Sequence, residues 1–240
     1  MYLRQYWVDV VFSWIFEIAE STANRLHVEF VQTFAQIASS KLILPTKEER
    51  LANSVKFRDR LVVGVFDGFE QQVVNFVNKV VQELFYSVKK KKSTVNTLVG
   101  CDPLRGKLLW FSQPFWGSIP DAVAMRFVDA LQLSDDECAM ADKGFNTLPQ
   151  YYSNYVLPFK HNPYDQLTER EEEINSMIAH VRIIIENYIC QIKKHRCMSD
   201  KFRMKDTQEK VLESHHNHKL VVLYFLENYK MKNGIRNIVQ

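Results

Sequence analysis

The segment 168–194 constrains the fold more than any other part of the chain. Thr168 and Glu171 have the spacing of a capping box, acids fill the first turn and lysines the last, a pattern typical of one long α-helix. Along it, apolar residues recur at steps of four, three, four, four and three: Ile174, Ile178, Val181, Ile185, Ile189 and Ile192. Such a continuous apolar stripe must be buried, so we predict that this helix packs against a β-sheet.

Short apolar runs indicate how that sheet is built. "RLVVGVFD" (60–67) predicts a buried strand that ends at Asp67, and "STVNTLVGCDPLRGKLLWFSQ" (93–113) predicts a hairpin with Pro and Gly in its turn. "ECAMAD" (137–142) and "YVLPF" (155–159) predict two more strands. "GSIPDAVAMRFVDAL" predicts a helix that starts at Ser118 as N-cap, with Pro120 in its first turn. This order favours an α/β fold, a mixed sheet flanked by helices.

Three segments follow from these patterns. Residues 1–43 are predicted to be helical, with Leu26, Phe30, Phe34 and Ala38 at steps of four, and Pro45 is a natural break. Residues 44–205 contain the predicted sheet and the long helix. Residues 206–240 form a polar tail that becomes helical around "KLVVLYFLENY".

Acidic residues are predicted to meet at one edge of the sheet. If the strands ending near Asp67 and Asp142 lie side by side and parallel, both carboxylates leave the carboxyl edge where α/β sites form. Glu186 borders the apolar stripe of the long helix, which could place it over the two aspartates. Carboxylates so close repel one another unless a cation binds them, and Mg²⁺ or Mn²⁺ prefers such oxygen ligands. Two such ions could promote cleavage of a phosphodiester.

Each acid also has a simpler interpretation. An aspartate that precedes a glycine at a strand end is often a turn residue. Asp121 could simply be an acid in the first turn of its helix, where its charge stabilises the helix, with no role in metal binding. Glu186 could be a surface acid that pairs with Arg182, one turn earlier.

Basic residues are informative through their positions, because the net charge is only +3. Lys89 to Lys92 form one run, which could be a solvated loop or a phosphate contact. A second cluster follows the long helix and would border a site held by Glu186. It contains Lys193, Lys194, Arg196, Lys201 and Arg203, and we predict that these residues contact DNA phosphates.

Other features narrow the class of protein. The four cysteines lack the paired spacing of a disulfide framework, which favours a reducing intracellular compartment. No run reaches the roughly 18 apolar residues of a membrane span, so we expect no membrane association. The group His215, His216 and His218 could bind a metal, although a loop or helix start explains it more simply.

Six ordered motifs between residues 44 and 203 resemble the DDE superfamily endonuclease domain of PIF/Harbinger-type transposases. They are "VFDG", "YSVKKKKSTVNTLVGCDPLRGKLLWFS", "GSIPD", "ADKGF", "LTEREEEIN" and "VRIIIENYICQIK". The resemblance implies a ribonuclease H-like fold, a requirement for Mg²⁺ or Mn²⁺, and cleavage of DNA phosphodiesters. It also implies that Asp67, Asp142 and Glu186 are catalytic and bind metal, with Asp121 as a further metal ligand.

Two functions therefore remain open. The first is an active metal-dependent endonuclease or transposase domain, and the second is a catalytically silent DNA- or protein-binding module. Phe69, Val88 and Ser93 depart from the family pattern and favour the second, whereas the four retained acids favour the first. Residues 1–43 resemble the end of a helix-turn-helix module, so we expect a separate DNA-binding protein to supply site recognition. We further expect a nuclear location and a possible homo-oligomer.

Overall fold

A computed structural model describes residues 9–128, 133–160, 166–203 and 207–230 of the 240-residue chain. Three helices precede the first strand: α1 (Asp9–Phe16), α2 (Glu20–Lys41) and α3 (Lys47–Ala52). Within the described residues, α1 and α2 confirm the predicted helical character of segment 1–43, whereas α3 follows the predicted break at Pro45. No helix in these ranges has the length and apolarity needed to cross a bilayer.

Eight strands form a mixed sheet within the described ranges. They are β1 (Val55–Phe57), β2 (Arg60–Gln72), β3 (Tyr86–Ser87), β4 (Lys92–Cys101), β5 (Leu108–Phe111), β6 (Phe115–Trp116), β7 (Glu137–Met140) and β8 (Tyr155–Val156). The central order is β3-β4-β2-β7-β8. Strand β4 is antiparallel to β2 and β5, whereas β7 is parallel to β2 and β8. This topology confirms the predicted mixed α/β fold and is consistent with a ribonuclease H-like fold.

Five more helices flank the sheet. They are α4 (Lys79–Phe85), α5 (Asp121–Arg126), α6 (Glu169–Lys193), α7 (Arg196–Ser199) and α8 (Gln208–Phe225). Helix α6 begins with the predicted capping box of Thr168 and Glu171. The isoleucines of its stripe are buried against the sheet, as predicted, and Val181 packs against the same core. Because each buried isoleucine contributes about 1.5–3 kcal/mol, this face is a main source of the stability of α6.

Strand alternation separates two apolar cores. Val65 and Phe69 face α6, whereas Phe66 faces the other side, where it packs in the same core as Leu98 and Met125 of α5. Asp67 has the same parity as Val65, so its side chain lies on the α6 face. Gly68 accordingly faces α5.

Two sequence-based boundaries were wrong. Strand β2 does not end at Asp67 but continues to Gln72, because β4 supplies pairing partners as far as Gln72, which lies opposite Thr94. Helix α5 starts at Asp121 with Pro120 as its N-cap, not at Ser118, and it ends at Arg126. The last part of the predicted helix, residues 129–131, lies outside the described residues. The predicted turn of the β4–β5 hairpin is confirmed, with Gly106 at a φ of 67°.

The C-terminal helix is joined to both the sheet and α6. Val222 and Leu223 of α8 belong to the same core as the α6 stripe. Directly after α8, a π-helical turn (Leu226–Lys230) carries Glu227, which accepts hydrogen bonds from the Tyr188 hydroxyl (2.8 Å) and the Leu108 amide (3.2 Å). The predicted divisions after residues 43 and 205 stay predictions.

Candidate active site

Two of the predicted acids follow the same register point of two neighbouring parallel strands. Val65 of β2 pairs with Met140 of β7, and Asp67 and Asp142 each lie two residues further along. The prediction that the two strands are adjacent and parallel is confirmed, but Asp67 lies within β2 and not at its end. Asp67 Oδ1 accepts a hydrogen bond from the Gly68 amide (2.8 Å), and Asp142 caps a short 3₁₀ turn through the Lys143 amide.

Arg182 of α6 brings these aspartates together with Glu186. One guanidinium nitrogen of Arg182, Nη2, lies 3.5 Å from Asp67 Oδ2 and 3.6 Å from Glu186 Oε1. The other, Nη1, lies 3.6 Å from Asp142 Oδ1. The three predicted catalytic carboxylates thus surround a single cation. The Arg182 side chain is only 16% exposed, so this cluster is partly shielded from water.

Asp121 approaches from the opposite face of β2. Its Oδ1 accepts a hydrogen bond from Asn96 Nδ2 of β4 (2.7 Å). The same oxygen would lie 2.6 Å from a Cβ atom built on Gly68, a distance that real Cβ atoms do not tolerate. Gly68 is therefore required because the Asp121 carboxylate occupies the space of its missing side chain. Asp121 is the first residue of α5, not the third residue after the cap as the sequence predicted.

The electrostatics of the acids reflect their burial. Burial raises the pKa of Asp67, and the charges of Asp142 and Asp121 add to the rise, while the Gly68 amide and Arg182 oppose it. Burial also raises the pKa of Asp121, against the Asn96 hydrogen bond and the charge of Lys89. The hydrogen bonds and positive charges around Asp67 and Asp121 thus do not fully compensate the cost of burying the two carboxylates. Perturbed pKa values of this kind are typical of functional sites.

The donor set fits a hard divalent cation. All three groups around Arg182 are carboxylates, the ligand type that Mg²⁺ and Mn²⁺ prefer. Arg182 is an imperfect partner for them, because its contacts exceed the 2.7–2.9 Å typical of charged hydrogen bonds. Its buried Nε also has no hydrogen-bond partner among the described residues. In these same ranges, no three His, Cys, Asp or Glu side chains are close enough to form a ready metal site.

The family model for the DDE superfamily endonuclease matches residues 66–228, which include all four acids. The chain belongs to this family. No curated protein and no solved structure matches the chain significantly. The narrower PIF/Harbinger assignment and the roles of the individual acids stay predictions.

Basic residues of both predicted clusters approach the acids of this member of the DDE superfamily endonuclease family. Lys193 Nζ lies 5.9 Å from the centre of the Phe69 ring, so the departure at position 69 provides an apolar contact for a lysine. Desolvation and the charge of Lys90 lower the pKa of Lys193, while Asp67 opposes this. The charge of Lys89 in turn acts on Asp121. The lysine run and the end of α6 therefore border the site together.

The other predicted phosphate contacts are less close to the acids. Lys194 and Lys201 are exposed, and Arg196 forms an ion pair with Asp200 (2.8 Å). Arg203 lies beside a cleft between α2 and α8, with His27 and Lys210. Only part of the predicted cluster therefore surrounds the acids, and its contact with DNA stays a prediction.

Sequence reasoning missed two features of the candidate site. It treated Arg182 as a surface partner of Glu186 alone, although the i to i+4 spacing in "VRIIIE" already placed both on one side of α6. It also missed Asn96, whose position in the predicted hairpin carried no signal that it would bind Asp121.

Proposed function

We propose that this chain is a metal-dependent DNA endonuclease of the PIF/Harbinger transposase type that uses Mg²⁺ or Mn²⁺ in the nucleus. The observation that supports this most is the meeting of Asp67, Asp142 and Glu186 around one cationic group. These acids come from two strands and a helix that are distant in sequence. Such convergence is not needed for folding, because carboxylates that lie near one another repel.

Each acid would have a defined task. Asp67, within β2, and Asp142, two residues after the end of β7, would bind metal from two neighbouring strands whose pairing holds them rigidly. Glu186 would bind from α6, and Asp121 would support the site from the other face across Gly68. When bound, the divalent ions activate the attacking hydroxyl or water and stabilise the leaving oxygen of the phosphodiester.

The DNA would lie across the basic border of this site. Lys193 at the end of α6 and the run from Lys89 to Lys92 would neutralise phosphates on either side of the acids. Lys194, Arg196, Lys201 and Arg203 would extend this contact. Recognition of a particular DNA site would come from a separate protein, and a homo-oligomer would bring two DNA ends together.

A second candidate is a catalytically silent binding module derived from a transposase. The observation that favours it is the position of Arg182, which already provides a positive charge between the three acids. In such a module the acids and Arg182 would be a structural ion-pair network.

Metal-dependent stabilisation separates the two candidates. A ligand at about 100 times its Kd stabilises the folded state by about 2.7 kcal/mol, which for a chain of this size raises the Tm by roughly 5–10 °C. We expect Mn²⁺ to raise the Tm of the wild type and to support nicking of duplex DNA. Asp67→Asn should abolish both effects, whereas Asp135→Asn, at an exposed acid, should retain both. A wild type that neither responds to Mn²⁺ nor nicks DNA would favour the silent module.

A further inference from the structure

We propose that Arg182 is an internal counter-ion that holds the three acids together before metal binds and leaves them when divalent cations bind. This inference rests on the proposed function, because it concerns the same carboxylates. It assigns to Arg182 the role of a positioning residue that sets the metal affinity of the site. The chain would thus control its own metal occupancy through one side chain.

The charges require such a group. Asp67 and Glu186 both lie within 3.6 Å of one nitrogen of Arg182, so the two carboxylates share one cationic group. Asp142 joins them through the other terminal nitrogen. Without a cation these acids would repel one another, most strongly at Asp67, whose side chain is only 19% exposed and whose charge is therefore weakly screened. Arg182 supplies the positive charge from within the protein.

The contact geometry permits release. Charge-assisted hydrogen bonds of arginine are usually about 2.7–2.9 Å long and often bidentate, but Arg182 divides its two terminal nitrogens among three acids at 3.5–3.6 Å. Its Nε is buried without a hydrogen-bond partner among the described residues. The guanidinium is therefore held by charge more than by matched hydrogen bonds. Carboxylates that are so loosely bound can exchange one cation for another.

The position of Arg182 on α6 explains why exchange is coupled to metal. Arg182 and Glu186 are one helical turn apart, so the acid and its counter-ion stand on the same side of one rigid element. A guanidinium at the centre of the acids and a divalent ion bound by them would repel each other. Metal can bind only to molecules in which Arg182 has moved away from the acids. The apparent metal affinity is then the intrinsic affinity multiplied by the fraction of such molecules.

The test compares Mn²⁺ binding by calorimetry and metal-free stability among four proteins: the wild type, Arg182→Gln, Arg182→Lys and Arg170→Gln. Arg170 is an exposed arginine of the same helix, so its variant controls for the loss of one charge. We expect Arg182→Gln to bind Mn²⁺ roughly tenfold or more tightly than the wild type, since the competing charge is gone. Its metal-free Tm should fall, and Mn²⁺ should raise the Tm by more than in the wild type. Arg182→Lys, which keeps the charge, should stay close to the wild type.

The outcomes separate this inference from the proposed function. If the wild type and Arg182→Gln bind Mn²⁺ equally, the counter-ion role is wrong while the metal site stands. If neither binds, the proposed function fails and the inference fails with it. Binding by Arg182→Gln alone would support the inference in its strongest form. If Arg182→Gln does not fold, the Arg182→Lys variant decides the question. A counter-ion role depends only on the positive charge, so it would be overturned if Arg182→Lys bound Mn²⁺ roughly tenfold more weakly than the wild type does.

Discussion

Replacement of Gly68 by alanine tests the approach of Asp121 across β2. The added Cβ would lie 2.6 Å from Asp121 Oδ1 and 3.2 Å from Leu98 Cδ2. The carboxylate is attached to the first turn of α5 and hydrogen-bonded to Asn96, so it cannot move away without loss of that bond. The substitution therefore forces either a shift of α5 or a broken polar contact.

The size of the effect follows from these contacts. Overpacking a filled site costs about 1–3 kcal/mol, and losing a hydrogen bond to a charged group costs about 1.5–3 kcal/mol. Alanine recovers about 0.4–1 kcal/mol because it restricts the unfolded chain. If both costs apply, the expected net loss is about 1.5–5.6 kcal/mol, which lowers the Tm of a chain of this length by roughly 3–22 °C.

Gly144→Ala is the matched control, because its Cβ would lie 3.7 Å from Asp121 Oδ2, an ordinary van der Waals distance. Both variants introduce one methyl group beside the same carboxylate. Thermal unfolding and urea midpoints should show a large loss for Gly68→Ala and a small change for Gly144→Ala. The reasoning would be refuted by Gly68→Ala that is as stable as the wild type, or by equal losses in both.

Three further predictions concern other parts of the molecule. Ile178→Ala on the buried stripe of α6 should cost about 2–5 kcal/mol, whereas Ile183→Ala, at a residue 43% exposed, should cost far less in urea unfolding. Burial lowers the pKa of His216 to about 3 and of His218 to about 4. Below the unfolded pKa of about 6.5, the unfolded chain therefore binds protons that the folded chain does not bind. The free energy of unfolding is then highest above pH 6.5 and decreases as the pH falls toward 4 and 3. Urea midpoints should therefore fall between pH 7 and pH 5, and replacement of both histidines should flatten that dependence. Lys193→Gln should weaken binding to duplex DNA and reduce the slope of log affinity against log salt by about 0.9, whereas an unchanged slope would exclude a phosphate contact.

Local patterns predicted those parts of the fold that local physics determines. The capping box at Thr168 and the isoleucine stripe of α6 depend on neighbours within a few residues, and the structure confirms both. The parallel pairing of β2 with β7 was also predictable, because few strand orders fit the sequence of elements. The extension of β2 was not, since the residues after Gly68 form a strand only through pairing with β4.

The site was harder to predict because its contacts join distant segments. Nothing near Gly68 in sequence indicates that Asp121 fills the space beside it. The position of Arg182 between three acids depends on how α6 crosses the sheet, which a helical pattern does not determine. Arg182 could have been a surface partner of Glu186 alone or a central counter-ion of three acids. Only the contacts that tertiary packing creates distinguish these two roles.

The hydrogen bond between Tyr188 and Glu227 has a consequence for the order in which the molecule matures. Tyr188 is in α6, the helix that carries Arg182 and Glu186, and its buried hydroxyl is satisfied by a residue of the last described turn. Chains emerge from the ribosome starting at the N-terminus, so this bond forms only after residue 227 has been synthesised. Until then, α6 lacks this anchor and the buried Tyr188 hydroxyl lacks its acceptor. The helix that carries Arg182 and Glu186 therefore reaches its final packing only after the segment around Glu227 has folded.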